Sequence, residues 1–310
     1  MQYTAVIRTL GTAGEKYQTL LNSLVAQTIR PSAIIVYIAE GYPIPKETVG
    51  VEQYIYVKKG MVAQRALRYD EVQTEWILFL DDDVYLPADG VELLHKHLMA
   101  NGADVVSPNT FENHKMGLKT KILNILLGQA VPFKSNYWAY TMLRTGGFGY
   151  NNNPIKDFYW SESNAGPCFL CKKSTFNSIE FEKELWLDKT PYALPEDQVM
   201  FYKMHLKGYK VATVFHTGII HLDAGATVGN MPNRLEKVLY SEVKNQIIFW
   251  HKFIKPYNKG IMRIWAWMCI AHYVCMRRLF ALKHYLMGDK SHWLTVNHAI
   301  TDVKSQIKQL

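Results

Sequence analysis

The chain has 310 residues, and 48% of them are hydrophobic, which is enough to bury one large core or two small ones. Its four cysteines are too few for a disulfide framework, and residues 1–7 lack the basic and then apolar layout of a signal peptide. We therefore expect a globular protein in a reducing, cytoplasmic setting. The formal charge of +8 is compatible with nucleic acid, but the chain lacks a helix-turn-helix or zinc pattern, so no nucleic-acid partner is expected.

Strand and helix patterns alternate through the first 108 residues. Apolar runs predict strands at 3–10, 34–38, 54–57, 76–80 and 104–107, and helical periodicity predicts helices at 17–25, 61–72 and 91–99. This alternation indicates βαβ units and a parallel sheet with helices on both faces. Ligands of such sheets bind beyond the carboxyl ends of the strands.

The alternation stops after residue 108 and resumes near Cys168. A helix with several lysines is predicted at 115–130, and residues 136–153, rich in aromatics, Asn and Gly, predict an irregular insertion of the kind that often binds ligands. Strands at 168–171 and 210–215 and a helix at 198–207 then follow.

Three adjacent carboxylates, Asp81, Asp82 and Asp83, follow the predicted strand at 76–80. Because such neighbours repel one another and solvate well, packing alone does not explain their place behind a buried strand. Divalent cations bind oxygen ligands and share them with substrate phosphates, so the triplet indicates a metal and nucleotide site. A solvated acidic turn is the other interpretation of the triplet taken alone.

A second acid pair, Glu196 and Asp197, opens the predicted helix at 198–207. One acid could cap the helix, and the other could accept a proton as a general base. His221 lies beyond the strand at 210–215 and is either a core histidine or a further metal ligand.

The C-terminal part combines positive charge with an apolar centre. Between His251 and Lys290 eight Lys or Arg oppose a single acid, while residues 264–276 carry no charge. That apolar run is shorter than the roughly 20 residues needed to span a bilayer. Its tryptophans and basic flanks predict a helix lying on anionic head groups, and a helix packed on the protein body is the alternative.

Several short motifs, taken in order, resemble inverting GT-A glycosyltransferases of family 2, of the type that builds bacterial polysaccharides and glycoconjugates. These motifs are Arg8-Thr9, residues 23–28, Asp81-Asp82-Asp83 (a DXD motif), Gly166 with residues 168–170, Glu196-Asp197, Gly208-Tyr209, His221 and residues 244–250. The resemblance implies an α/β fold: a GT-A, Rossmann-like, mixed and mostly parallel sheet flanked by helices, with a C-terminal helical extension. It also implies an enzyme that uses Mg2+ or Mn2+ and moves a sugar, with inversion, from a nucleotide-diphosphate donor to an acceptor hydroxyl.

The resemblance assigns roles to individual residues. Asp83 and His221 would hold the metal, and Asp197 would be the catalytic base. The donor-binding residues would be Arg8, Thr9, Glu40, Arg65, Asp81, Asp82 and Glu196. Where the family often has two acids that contact the nucleobase, this chain has Ile38 and Ala39, with Glu40 displaced by one or two positions. The identity of the donor's nucleobase is therefore not predicted.

On this resemblance, residues 1–108 form the nucleotide-sugar-binding half, 109–230 the acceptor-binding half with its insertion, and 231–310 a helical region that contacts a membrane. The basic helices suggest a saccharide or polyprenyl-linked acceptor and a peripheral position at the inner face of the cell membrane. Two alternatives remain: a sugar nucleotidyltransferase, whose Gly-rich basic loop residues 10–16 do not match, and an inactive nucleotide-sugar-binding membrane scaffold.

Overall fold

A mixed sheet of eleven strands forms the centre of the computed structural model, which describes residues 1–110, 116–222 and 233–307. The described residues form thirteen strands, eleven in this sheet and two in a separate ribbon: β1 Tyr3–Thr9, β2 Ala33–Ala39, β3 Glu52–Val57, β4 Trp76–Asp81, β5 Val84–Tyr85, β6 Val105–Pro108, β7 Ala130–Phe133, β8 Trp138–Met142, β9 Phe148–Asn151, β10 Phe158–Ser161, β11 Cys168–Lys172, β12 Val211–Val214 and β13 Ile220–His221. The sheet order is β3-β2-β1-β4-β11-β6-β12-β10-β8-β9-β7, and β5 pairs with β13 in a separate ribbon. The strands β3, β2, β1 and β4 are parallel, whereas β11 is antiparallel to both of its neighbours.

Eight α-helices in the described ranges cover the sheet and extend beyond it. They are α1 Glu15–Val25, α2 Gly90–Asn101, α3 Leu118–Leu127, α4 Lys173–Ser178, α5 Glu196–Leu206, α6 Arg234–Phe249, α7 Gly260–Leu286 and α8 Lys290–Ile307. Short 3-10 helices occupy Phe181–Glu184 and Leu187–Lys189, and a π-helix, Trp250–Ile254, continues α6.

The strands bury both of their faces, because alternate residues enter two different apolar cores. In β4, Ile77 and Phe79 belong to one core, and Leu78 and Leu80 belong to the other. The second core is covered by α1 and α2, and the first by α4 to α8. A strand buried on both faces reads as a continuous apolar run, which is why the sequence identifies these strands well.

The helix predicted at 61–72 is wrong. The segment forms turns. Asp188 accepts hydrogen bonds from the backbone N–H groups of Val62 (3.0 Å) and Ala63 (2.8 Å) at its start, and the Ala66 N–H donates to Val62 O (2.7 Å). Tyr69 then adopts the left-handed region, with φ at 56°, which ends any helical continuation. Asp188 thus holds the start of a short turn that does not continue as a helix.

The insertion is more regular than predicted. The expected irregular segment 136–153 contains β8 and β9, which extend the sheet together with β7 and β10. Strands of four or five residues are too short to show a period in the sequence. The predicted helix at 115–130 is the shorter α3, and Lys115 lies outside the described residues.

The C-terminal helices pack on the first core, so the extension is part of the protein body. A narrow stripe of α7 faces inward, through Ala266, Ile270, Tyr273, Arg277 and Ala281. Arg277 Nη2 lies 2.8 Å from Glu242 Oε1 of α6, which anchors α7 by a largely buried ion pair. In the described ranges, no helix is both long enough and apolar enough to cross a bilayer.

Candidate active site

The carboxyl ends of β1 and β4 bring the first polar groups together. The two strands are parallel neighbours, and Arg8 lies in register with Asp81. The peptide N–H of Asp81 donates to Pro167 O (2.8 Å), so the residues before β11 also reach this edge. The acid triplet thus lies at the carboxyl edge of a mostly parallel sheet, as the strand pattern predicted.

Asp81 is held by two arginines. Arg8 binds it through both arms of the guanidinium, with Nε 2.5 Å from Oδ1 and Nη2 3.1 Å from Oδ2, and Arg65 Nη2 lies 3.1 Å from Oδ1. Although burial alone would raise the pKa of Asp81, the charges of Arg8 and Arg65 lower it to about 2. This carboxylate therefore ties the end of β4 to its neighbours.

Asp82 is bound from the end of β1. The Thr9 hydroxyl donates to Asp82 Oδ2 (2.5 Å) and accepts a hydrogen bond from the Gly11 N–H (2.8 Å). Burial, together with the neighbouring charges of Asp81 and Asp83, raises the pKa of Asp82 to about 6. Arg8 and Thr9 thus each fix one acid of the triplet.

Asp83 lies beside His221 because the β5–β13 ribbon joins their two segments. His221 is in register with Val84, and the Leu222 N–H donates to Asp83 O (2.8 Å). His221 Nε2 is 3.0 Å from Asp83 Oδ1. At this distance the two side chains contact each other directly. An imidazole nitrogen and a carboxylate oxygen are also ligand atoms that a divalent transition-metal ion can take.

The first turn of α5 places the second acid pair at the same edge. Glu196 Oε1 lies 2.9 Å from Arg8 Nη1 and 3.3 Å from Arg65 Nη1, while Asp197 Oδ1 lies 2.6 Å from Arg65 Nη1. Burial raises the pKa of Glu196 to about 7, against the opposing effect of the Arg65 and Arg8 charges. The side chain of Asp197 is 34% exposed and that of Glu196 only 4%, so Asp197 is the acid that a ligand can reach.

Arg65 joins both acid pairs from a buried position. Its side chain is 3% exposed and also donates to Gly166 O (3.0 Å). A Cβ on Gly166 would lie 1.9 Å from Asp197 Oδ1 and 2.6 Å from Arg65 Nη1, so only glycine allows this close packing. Asp188, which fixes the turn carrying Arg65, was missed in the sequence because it is far from that turn along the chain and belongs to no motif.

Nine of the ten predicted site residues meet at this edge. They are Arg8, Thr9, Arg65, Asp81, Asp82, Asp83, Glu196, Asp197 and His221. The tenth, Glu40, lies just after β2 on the surface, and its backbone N–H donates to Val57 O (2.8 Å). Among the described contacts, none links the Glu40 side chain to the acid cluster.

Two solved structures are similar to this chain. The chain resembles the crystal structure of GalNAc-T7 with UDP, GalNAc and Mn2+, at 12% identity over 82% of this chain and 49% of that chain, with a TM-score of 0.50. It also resembles S. aureus TarS 1–349 in complex with UDP-GlcNAc, at 14% identity over 96% of this chain and 79% of that one, with a TM-score of 0.47. The chain thus spans about half the length of the GalNAc-T7 chain that it matches.

No family model and no curated protein matches the sequence. The likeness to GalNAc-T7 and the sheet order show that the chain has the GT-A fold of glycosyltransferases, as the motifs predicted. Its sheet is mixed and mostly parallel, with flanking helices and a C-terminal helical region.

Proposed function

We propose that this chain is a metal-dependent inverting glycosyltransferase that moves a sugar from a nucleotide-diphosphate donor to a hydroxyl of a saccharide or lipid-linked saccharide. The observation that carries the proposal is the arrangement at the sheet edge: the adjacent side chains of Asp83 and His221, both of ligand type, near the accessible carboxylate of Asp197. On this proposal residues 1–108 bind the donor, 109–230 the acceptor and 231–310 a membrane.

Asp83 and His221 are the residues that would hold Mg2+ or Mn2+, and a cation there supplies positive charge to the leaving diphosphate. An imidazole ligand favours Mn2+ over Mg2+, which prefers oxygen alone. Asp82 and Thr9 remain predicted donor contacts, whereas Glu196, predicted to have the same role, is 4% exposed and is bound by Arg8 and Arg65. The Mn2+ and UDP in the GalNAc-T7 structure support a donor of this class.

Asp197 is the proposed base. The acceptor oxygen forms a bond to the anomeric carbon, the bond from that carbon to the diphosphate oxygen breaks with its electron pair, and the acceptor proton passes to Asp197. Because attack and departure occur on opposite faces of the sugar, the anomeric configuration inverts. Arg65 binds Oδ1 of Asp197, and among the described contacts none engages Oδ2.

The test is a thermal-unfolding panel of nucleotide-sugars with and without Mn2+. We expect one donor class to raise Tm only when Mn2+ is present, Asp83→Asn to abolish that rise, and Asp197→Asn to keep it while losing transfer. Asp157→Asn is the matched control, since Asp157 Oδ1 lies 3.0 Å from His216 Nδ1 in a pair on the exposed surface. If no nucleotide changes Tm, or if Asp197→Asn still transfers sugar, the proposal is wrong.

The proposed membrane contact rests on the outward side of α7. Large apolar side chains recur there at helical spacing, and all of them are exposed: Ile261, Ile264, Trp265, Met268, Leu279, Leu282 and Leu286. Arg278 and Lys283 are exposed on the same helix. An apolar stripe with basic flanks suits an interfacial helix on anionic lipid.

Helix α3 continues this surface although it lies far from α7 in the sequence. His272 of α7 hydrogen-bonds Leu126 O through Nε2 (2.8 Å), which joins the two helices. Leu118, Ile122 and Ile125 of α3 are exposed as well. Two separate apolar helices thus form one surface, which supports a peripheral position at the inner face of the cell membrane.

Co-sedimentation with vesicles tests this contact. We expect the protein to sediment with vesicles that contain phosphatidylglycerol and to bind purely zwitterionic vesicles weakly. The double variant Ile264→Glu with Trp265→Glu should lose most of its binding to the phosphatidylglycerol vesicles. Arg277 is unsuitable for charge reversal because it is buried against Glu242, so Arg278→Glu with Lys283→Glu is the charge variant. Met99→Glu, on the exposed side of α2, is the control. Absence of vesicle binding by the unmodified protein would end this part of the proposal.

A further inference from the structure

Metal-ligating side chains also meet at the junction of α7 and α8, away from the acid cluster. His284 lies in the last turn of α7, Asp289 in the connecting turn, and His292 in the first turn of α8. The nearest ligand atoms of the three residues all lie within 4.8 Å of one another. We propose that His284, Asp289 and His292 form a binding site for a late first-row transition-metal ion such as Zn2+.

The spacing of the donors suits such an ion. Zinc bonds of about 2.0–2.2 Å place neighbouring ligand atoms of a tetrahedral site about 3.4 Å apart. His284 Nδ1 and Asp289 Oδ2 are 3.3 Å apart, which is already that separation. The rings of His284 and His292 stack with centroids 4.1 Å apart and planes at 6°. Because imidazole nitrogens bind metals in the plane of the ring, His292 has to rotate out of this stack to share the ion with His284.

The fold orients the carboxylate toward the first histidine. Asp289 Oδ1 accepts hydrogen bonds from the His292 N–H (3.1 Å) and the Ser291 hydroxyl (2.9 Å), which leaves Oδ2 to face His284. Hydrogen bonds of this kind fix the direction of a ligand group before the metal arrives. The side chains of His284 and Asp289 are each 45% exposed, so an ion can enter from solvent.

The donor set defines the class of metal. Two imidazoles and one carboxylate suit Zn2+, Ni2+ or Cu2+, whereas Mg2+ prefers oxygen ligands only. Three protein ligands leave the fourth position to water. Because the ligands come from two helices, the bound ion ties the end of α7 to the start of α8 and favours the folded state.

Calorimetric titration of the untagged full-length protein with Zn2+ tests the site, with thermal unfolding as a second readout. We expect a Zn2+ site that raises Tm and is additional to any binding at Asp83 and His221, and at least a tenfold loss of affinity at this site in His284→Gln and in His292→Gln. His298→Gln is the matched control, because His298 Nε2 lies 3.4 Å from Asp302 Oδ2 on the same helix but is not part of the cluster. Circular dichroism of each variant verifies that the fold is kept.

The titration is repeated in Asp83→Asn, which separates this site from the proposed catalytic cation. Zn2+ binding that survives Asp83→Asn and falls in His284→Gln supports the inference. It is overturned if the protein binds no Zn2+, if both histidine variants bind as the unmodified protein does, or if Asp83→Asn alone removes binding. The donor-dependent Tm shift is measured separately, so failure here leaves the proposed function untouched.

Discussion

At the scale of single residues, Arg65 shows how a side chain's role depends on its surroundings. In the sequence, Arg65 lies in a predicted helix, and the family resemblance assigns it to binding of the nucleotide-sugar donor. In the structure it is buried and bridges Asp81, Glu196 and Asp197, so it positions the proposed base. A guanidinium presents several donors in a rigid fork, which is why one arginine can hold three carboxylates.

Replacing Arg65 by Met should therefore destabilise the protein strongly. Removing one partner of a buried ion pair costs about 3–5 kcal/mol, because the remaining charges stay buried without compensation. Arg68→Met is the control: Arg68 lies in the same segment, but its side chain is 65% exposed and its partner Glu182 is 3.5 Å away. Urea unfolding followed by circular dichroism measures the free energy of unfolding of both variants. A decrease below about 1 kcal/mol for Arg65→Met would contradict the structural role of Arg65.

At the scale of elements, a buried carboxylate joins three segments on the C-terminal side of the first core. Glu184, 3% exposed, accepts hydrogen bonds from Lys203 of α5 (2.7 Å), from Lys252 of the π-helix (2.7 Å) and from Trp186 Nε1 (2.6 Å). Burial opposes its charge, but these donors together lower the pKa of Glu184. The cluster anchors the segment that follows α6 to α5 and the first core.

Glu184→Gln should remove a stabilisation that depends on pH. Since the folded-state pKa lies below the ordinary value of 4.5, the carboxylate stabilises the fold above that pH and loses the effect as pH falls through the lower value. We expect a loss of about 3 kcal/mol at pH 7 that shrinks below pH 4.5. Glu180→Gln, in an exposed pair with Lys183, is the control. The measurement is the urea unfolding midpoint of Glu184→Gln and of the unmodified protein at pH 7 and at pH 3.5. If the difference between the two proteins is larger at pH 3.5 than at pH 7, the predicted pH dependence is wrong.

The elements themselves were predictable where burial makes them continuous. β2, β4 and β11 are apolar runs buried on both faces, and α1 buries one stripe, so local pattern suffices for them. The turns at 61–66 and the short strands β7 to β10 were missed. Their conformation depends on partners elsewhere in the chain, such as Asp188, that local sequence does not contain.

At the scale of the whole molecule, the proposed boundary at residue 231 does not coincide with a break in the core. One apolar cluster extends from strand residues such as Val6 and Phe79 to Ile270 and Val296 of the C-terminal helices. Trp250, fully buried, donates from Nε1 to Arg144 O (2.9 Å) and so links the C-terminal region to the insertion. Regions that share a core are expected to unfold together.

We therefore expect a single unfolding transition, with urea curves from tryptophan fluorescence and far-UV circular dichroism superimposed. Trp250→Phe should move both curves to lower urea by the same amount, because it removes a buried hydrogen bond and leaves a small cavity. Trp138→Phe, at a partly exposed position in the insertion, should move them less. Two separate transitions, or a shift of one curve alone, would show that the C-terminal helices unfold independently.

The sequence by itself determined the apolar strands that are buried on both faces, the sheet edge that carries the acids and the order of the motifs. These follow from local apolar patterns and from the rule that parallel strands end together. It indicated Asp83, Asp197 and His221, but not their distances. Only the tertiary structure decided which acids are held by arginines, that Asp83 pairs with His221, and that α3 and α7 form one surface. Those contacts join residues far apart in the chain, so they exist only after the core has packed and fixed each backbone segment against the next.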